Sequence, residues 1–313
     1  MKQILSRLKP YLRWVIFGGM LFFLAKAFKD HWREVAAIRI DGAGWLCLAI
    51  AAVATLLAQT WAGWMWSWIL REFKHPMSSL WLIQVYLKTN IAKYLPGNIF
   101  HYSGRIWVLT KAGVPTPTAT LSVLIEPILF AAAALLLILI PNQITREFLK
   151  NPWSWQVFCS VIVLMLLHPW FLNPVLTILE KFEGKQKNST ATDALDLKIE
   201  RYPLIPLGGA IGFLLIRGLG FLLIFMALTP VNLSQVPMLV SSFNLAWVSS
   251  LIIPGAPGGI GVFEATAVAL LNEPFSTGVV LSVAALYRLI SIVSESVGAG
   301  VASLDRVATS RNS

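Results

Sequence analysis

Charge, cysteine and histidine are scarce in this chain, and each shortage removes a class of function. Only 13% of the 313 residues are Asp, Glu, Lys or Arg, well below the quarter or so of an ordinary water-soluble domain. The two cysteines, Cys47 and Cys159, fall in separate apolar stretches with no CxxC spacing, so neither a disulfide framework nor a cysteine metal site is expected. There are four histidines. His31, His75 and His168 sit near the ends of apolar runs, and none is placed to share a metal with His101. No glycine-rich phosphate loop opens a helix, and no Ser/His/Asp order or HExxH motif stands out. No metal, no cofactor and no catalytic residue is therefore assigned, and the chain is not expected to be an enzyme. Lys and Arg outnumber Asp and Glu by 25 to 15, a net charge of +10. No basic block is long or interleaved with aromatics, so nucleic acid is not an expected partner.

What is abundant is apolar surface. Hydrophobic residues make up 57% of the chain, and the mean hydropathy is +0.70. Several runs approach the ~20 apolar residues that a bilayer-spanning helix needs. Many of the thirteen tryptophans lie near the ends of those runs, as in an interfacial aromatic belt. The expected class is an all-α, polytopic membrane protein whose partners are membrane lipids. In that setting the basic excess implies positively charged inner loops and contact with anionic lipid.

The stretch Pro254–Glu264, PGAPGGIGVFE, organises the rest. Two prolines and four glycines interrupt an apolar run, and an acid follows at once. Backbone freed from a helix inside a bilayer has to be satisfied by protein or by water in a cavity, so such a break points to a transporter-type site. The alternative is a tight turn at the membrane surface. A second break, YLPGN at Tyr94–Asn98, interrupts the apolar stretch 80–109, which carries Lys88, Lys93 and Arg105. It reads as a helical hairpin entering and leaving from one side, or as an amphipathic helix pair lying on the inner surface. The expected hairpin tips are Pro96, Gly97 and Asn98 in the first break and Pro257, Gly258 and Gly259 in the second.

In chain order, full spans are expected over about 14–28, 45–70, 117–140, 155–171, 204–228 and 277–304. Six full spans plus two re-entrant hairpins result, or eight spans if the hairpins are counted differently. Lys2, Arg7, Lys9 and Arg13 precede the first span, placing the N-terminus in the cytoplasm, and Arg306 and Arg311 place the C-terminus there too. The polar stretch 180–201, with GKQKNSTATDA inside it, has the composition of a disordered cytoplasmic loop. The chain is a single membrane domain over 1–313, divided into repeats of about 1–141 and 153–305. Each repeat reads span, span, hairpin, span, with opposite starting sides, which is an inverted-topology repeat.

The buried charges look reciprocal. Arg105 follows the first break and Glu126, next to Pro127, lies in the following span. Glu264 follows the second break and Arg288 lies in the following span, with Glu295 two turns on. Arg217 is buried in the span before the second hairpin. Intramembrane ions are costly and usually face a partner or a water-filled cavity. They are candidates for cargo contact, or for pairs that only hold helices together. His101, near the first tip, joins the candidates, although a lone histidine is more often a packing or capping residue.

At YLPGNIFHYSGR (94–105), Glu126–Pro127 and PGAPGGIGVFE (254–264), the chain resembles the transmembrane region of the lysylphosphatidylglycerol synthase family, the flippase-like proteins. The resemblance covers nearly the whole chain. It implies movement of a phospholipid or polyprenyl-lipid headgroup between leaflets. Read from the residues, Arg105, Arg217 and Arg288 would compensate phosphate charge during passage, Glu126 and Glu264 would hold those arginines or meet a cationic headgroup, and His101 is a further substrate-binding candidate. In the family a soluble synthase domain follows the membrane region; here the chain ends at Ser313, so aminoacyl transfer is not expected. Two other functions fit the residues. One is a glycosyltransferase, or its accessory subunit, acting on a lipid-linked sugar. The other is a scaffold for a separate lipid-modifying enzyme. The expected location is a bacterial inner (plasma) membrane.

Overall fold

The computed structural model describes residues 32–94, 99–139, 202–252 and 259–310, with Lys29 and short stretches between 161 and 174. The chain is all helical there, without strands among the described residues. A short helix α1 (Trp32–Ala37) occupies the mixed-charge segment before α2 (Gly42–Glu72). There follow α3 (Ser79–Asn90), a 3-10 turn at Ile91–Tyr94, α4 (Phe100–Lys111) and α5 (Thr116–Ile138). Beyond 201 come α6 (Leu204–Leu228), α7 (Val236–Ile252), α8 (Val262–Leu271) and α9 (Thr277–Ser310).

Four of these helices, α2, α5, α6 and α9, are long and apolar enough to cross a membrane. At ~1.5 Å per residue the shortest of them, the 23-residue α5, reaches about 34 Å, against a hydrocarbon thickness of about 30 Å. Their outward faces are apolar. On α2, Leu46, Ile50, Val53, Leu57 and Trp64 are exposed, and on α9, Leu289, Ile292, Val293, Val297 and Val301. Both sets recur at helical spacing, so each helix presents one continuous apolar stripe outward. In water this would be a large exposed patch; in lipid it is the matched surface. The molecule is a polytopic, multi-pass membrane protein.

The two broken segments do break. Helices α3 and α4, 12 residues each, pack against one another and at about 18 Å are too short to cross a bilayer. Helices α7 and α8 also pack together, with α8 only 10 residues long. The spans expected at 14–28 and, for the most part, 155–171 lie outside the described residues. So do the loop 180–201, the proposed repeat boundaries at 141 and 153, and the tip residues Pro96, Gly97, Asn98, Pro257 and Gly258.

Local signals explain the ends. Asp41 caps α2, its side chain accepting from the Gly44 N–H at 2.7 Å, which satisfies one orphan donor of the first turn. Pro117 sits in the first turn of α5, where its missing N–H costs nothing. Gly44 lies against α6: a Cβ there would stand 2.8 Å from the Ala227 carbonyl oxygen. The buried alanines Ala51, Ala54, Ala58 and Ala62 form one small-residue face of α2, and α2 makes its most extensive helix contact with α6. Small residues let helix backbones approach closely when the surrounding solvent is lipid.

Apolar packing divides into two cores. One is built by the C-terminal part of α2, the N-terminal part of α6, and α3, α4 and α5, and includes Trp66, Leu82, Leu109, Leu129 and Phe213. The other joins the opposite ends of α2 and α6 to α7, α8 and α9, through Phe221, Phe243, Phe263 and Tyr287. Along α6 the first core ends at Leu214 and the second begins at Phe221. Arg217 lies in the seam between them. On α2 the seam falls at Thr55 and Gln59, both buried.

Candidate functional site

The first buried pair is Arg105 with Glu126. Arg105 lies on α4, just after the first break, and its side chain is 1% exposed. Its Nη1 donates to Glu126 Oε2 at 2.6 Å, and Tyr86 O–H from α3 donates to Glu126 Oε1 at 2.9 Å. The guanidinium lies over the Tyr86 ring at 3.8 Å and near the Trp66 ring at 5.6 Å. A buried ion is tolerated when paired and hydrogen-bonded, and a desolvated aromatic face adds attraction. Pro127 continues the helix immediately after Glu126; it donates no hydrogen bond to the preceding turn.

The second pair is Glu264 with Arg288, and the glycines of the second break build it. Gly259 and Gly261 have φ of +71° and +88°, the left-handed region that glycine enters without penalty. A Cβ on Gly259 would also meet the Ser250 Cβ at 2.5 Å. This backbone brings the Gly261 N–H to Glu264 Oε2 at 2.6 Å, so the carboxylate caps the start of its own helix α8. Glu264 Oε1 accepts from Arg288 Nε on α9 at 2.7 Å. The two pairs mirror each other. In each, one partner lies on the helix after a break and the other on the next helix, 21 and 24 residues on.

A third group of charges occupies the seam. Lys93, from the 3-10 turn after α3, reaches Glu295 on α9, with Nζ 2.7 Å from Oε1. The same oxygen accepts from Gln59 Nε2 at 2.9 Å, and Gln59 Oε1 accepts from Asn90 Nδ2 at 3.0 Å. Arg217 Nη1 stands 3.7 Å from Glu295 Oε1, beyond hydrogen-bond range. Arg217 Nε and Nη1 have no hydrogen-bond partner, nor has the Tyr287 hydroxyl, although the Arg217 guanidinium lies 5.1 Å from the Tyr287 ring centroid.

These groups surround one cavity of about 130 Å³. Its wall includes Gln59, Tyr86, Asn90, Lys93, His101, Arg105, Glu126, Arg217, Gly259, Tyr287 and Arg288, with Phe130, Phe213, Trp247 and Phe263 as the apolar part. Both hairpins and all four long helices contribute. Arg217 and Glu126 each lie near the middle of their helices, the depth at which broken-helix transporters hold substrate. His101 is buried with Nδ1 unpartnered and lies against Tyr102, ring centroids 3.8 Å apart.

Of the residues singled out in the sequence, Arg105, Glu126, Arg217, Arg288, His101 and Gly259 all line this cavity. Glu264 lies behind Arg288, buried and occupied on both oxygens. Sequence reasoning missed Lys93, Gln59, Asn90, Tyr86 and Tyr287 as site residues and left Glu295 outside the set. The available signal was Glu295 two turns beyond Arg288, which puts both on one face of α9. Only the alternative of a surface helix pair would turn Lys93 toward lipid headgroups; it turns inward, 19% exposed, where a carboxylate 202 residues away meets it. Among the described residues no group of His, Cys, Asp and Glu is placed to hold a metal.

A family model described as the lysylphosphatidylglycerol synthase TM region matches residues 11–297. No curated protein matches the chain.

Proposed function

The chain belongs to the lysylphosphatidylglycerol synthase TM-region family, and from that premise we propose that it moves the polar headgroup of a phospholipid or polyprenyl lipid between membrane leaflets. The observation that carries this reading is the polar cavity between the two broken segments, lined by Lys93, Arg105, Arg217 and Arg288 near the middle of the membrane-spanning helices. A headgroup crossing a bilayer needs its charge compensated at that depth, and cations among hydrogen-bonding side chains supply the compensation. The chemistry is binding and release, with no covalent step. The mirrored pairs Arg105–Glu126 and Glu264–Arg288 support an inverted repeat whose halves rock about the cavity. Lys93–Glu295, which ties the first hairpin to the last helix, is then a contact that remakes as access alternates. Both termini face the cytoplasm in this reading, following the distribution of Lys and Arg.

Reconstitution tests the proposal. Purified protein in sealed vesicles with a fluorescent phospholipid in both leaflets is treated with an impermeant quencher. Loss of signal beyond the outer-leaflet fraction, at a rate rising with protein content, is expected. Quenching that stops at the outer-leaflet fraction for phospholipids and polyprenyl lipids alike would remove the transport reading.

A further inference from the structure

The charges around the cavity do not balance. Among the described residues that build the site, four cations, Lys93, Arg105, Arg217 and Arg288, meet three carboxylates, Glu126, Glu264 and Glu295. In sequence, the stretches 95–98 and 253–258 contain no ionisable side chain. His101, also on the cavity wall, could add only to the cations in this count. Arg105 and Arg288 each have a carboxylate to themselves, at 2.6 and 2.7 Å. Lys93 and Arg217 share one, and Lys93 holds it at 2.7 Å while Arg217 stands off at 3.7 Å.

The surplus charge therefore resides on Arg217. It is 5% exposed, lines the cavity, and has two guanidinium nitrogens without a hydrogen-bond partner. A buried guanidinium that only shares a carboxylate, at 3.7 Å and without a hydrogen bond to it, is costly. The other unfilled groups on the wall include the Tyr287 hydroxyl and Arg105 Nε, and both are able to donate. On or behind the wall, Glu126 and Glu264 have both oxygens bonded, and the one unpartnered carboxylate oxygen among the three acids is Glu295 Oε2. Glu295 is not part of the cavity wall.

From this we infer that the seam between the two cores is a binding site for a single negative charge, with Arg217 as its principal ligand. The occupant is the phosphodiester of an anionic lipid headgroup with no compensating ammonium. This deepens the transport reading above and rests on it for the lipid nature of the occupant. A phosphodiester offers one charge and two unesterified oxygens, which suits a guanidinium fork beside a hydroxyl donor. A choline or aminoacyl headgroup would bring a cation into a site that already carries surplus positive charge. Glycerophospholipids and polyprenyl-phosphate sugars share the phosphodiester, and the test separates them.

Detergent-solubilised protein is titrated with short-chain phosphatidylglycerol, phosphatidylcholine, lysylphosphatidylglycerol and a polyprenyl hexosyl phosphodiester, following tryptophan fluorescence, which Trp247 on the cavity wall reports. One or both of the singly anionic lipids should bind at least about tenfold more tightly than the zwitterionic and cationic ones, the weight of one charge-assisted hydrogen bond. The tighter of the two identifies the source. Arg217→Gln should reduce that lipid to the phosphatidylcholine level. Lys93→Gln, at a more exposed position, should do the same by removing the surplus charge, and serves if Arg217→Gln does not fold. Equal binding of all four lipids, or anion preference surviving in Lys93→Gln, overturns the inference. Selective binding without leaflet exchange would sink transport and leave this site standing. Equal exchange of phosphatidylcholine and phosphatidylglycerol would do the reverse.

Discussion

Lys93 Nζ lies 2.7 Å from Glu295 Oε1, joining the turn after α3 to the last helix across 202 residues. Glu295 is 1% exposed and also receives Gln59 and the distant charge of Arg217. It is the one carboxylate at the seam among the described residues, and two cations depend on it.

Removing Glu295 should therefore cost more than removing Lys93. Glu295→Gln strands both Lys93 and Arg217, and a loss of about 3–5 kcal/mol is expected, the usual result of breaking a buried pair from one side. Lys93→Gln leaves Glu295 with Gln59 and brings Arg217 into play, so about 1–2 kcal/mol is expected, the scale of a lost charged hydrogen bond. Thermal unfolding in detergent measures both. Equal losses would show that Arg217 does not lean on Glu295.

Gly259→Ala and Gly113→Ala separate backbone strain from crowding. Both glycines have positive φ, +71° and +90°. Nothing lies within 4 Å of a Cβ on Gly113, whereas one on Gly259 meets Ser250 at 2.5 Å. Gly113→Ala should cost about 1–2 kcal/mol from conformation alone. Gly259→Ala should cost that plus the displacement of Ser250, about 1–3 kcal/mol more. Matching melting points for the two variants would mean that the close approach of the second break to α7 is not maintained.

Arg105→Lys keeps the charge but loses the planar stack on Tyr86, 3.8 Å away. A loss of about 1–2 kcal/mol is expected from weaker ring contact and hydrogen-bond geometry. Wild-type stability in Arg105→Lys would reduce Arg105 to a point charge for Glu126.

Much of this architecture was legible from sequence, for a physical reason. A long apolar run in a chain with so little charge can only be a buried or lipid-facing helix. The expected 45–70, 117–140 and 204–228 accordingly match α2, α5 and α6 to within a few residues. Arg105, Glu126, Glu264 and Arg288 stood out because an ion inside such a run needs a partner, and in both pairs that partner lies on the next helix along the chain, 21 and 24 residues on. The seam was not legible. Lys93–Glu295 and Gln59–Asn90 are uncharged or ambiguous when read locally, and their meaning comes from packing between helices distant in sequence. Arg217 was visible as a buried base, but that it lacks a carboxylate of its own is a fact of geometry.

The most direct test of the cavity as the route for lipid is to block it. Ser291 on α9 is buried and lines the cavity, whereas Leu289, two residues away, is 56% exposed on the outer face of the same helix. Single cysteines at these positions, in a background lacking Cys47 and Cys159, are modified with a bulky maleimide before reconstitution, and leaflet exchange is measured. Modification of Ser291→Cys should stop exchange, while modification of Leu289→Cys should leave the rate unchanged. Full exchange after complete modification of Ser291→Cys would show that lipid does not pass between the two hairpins.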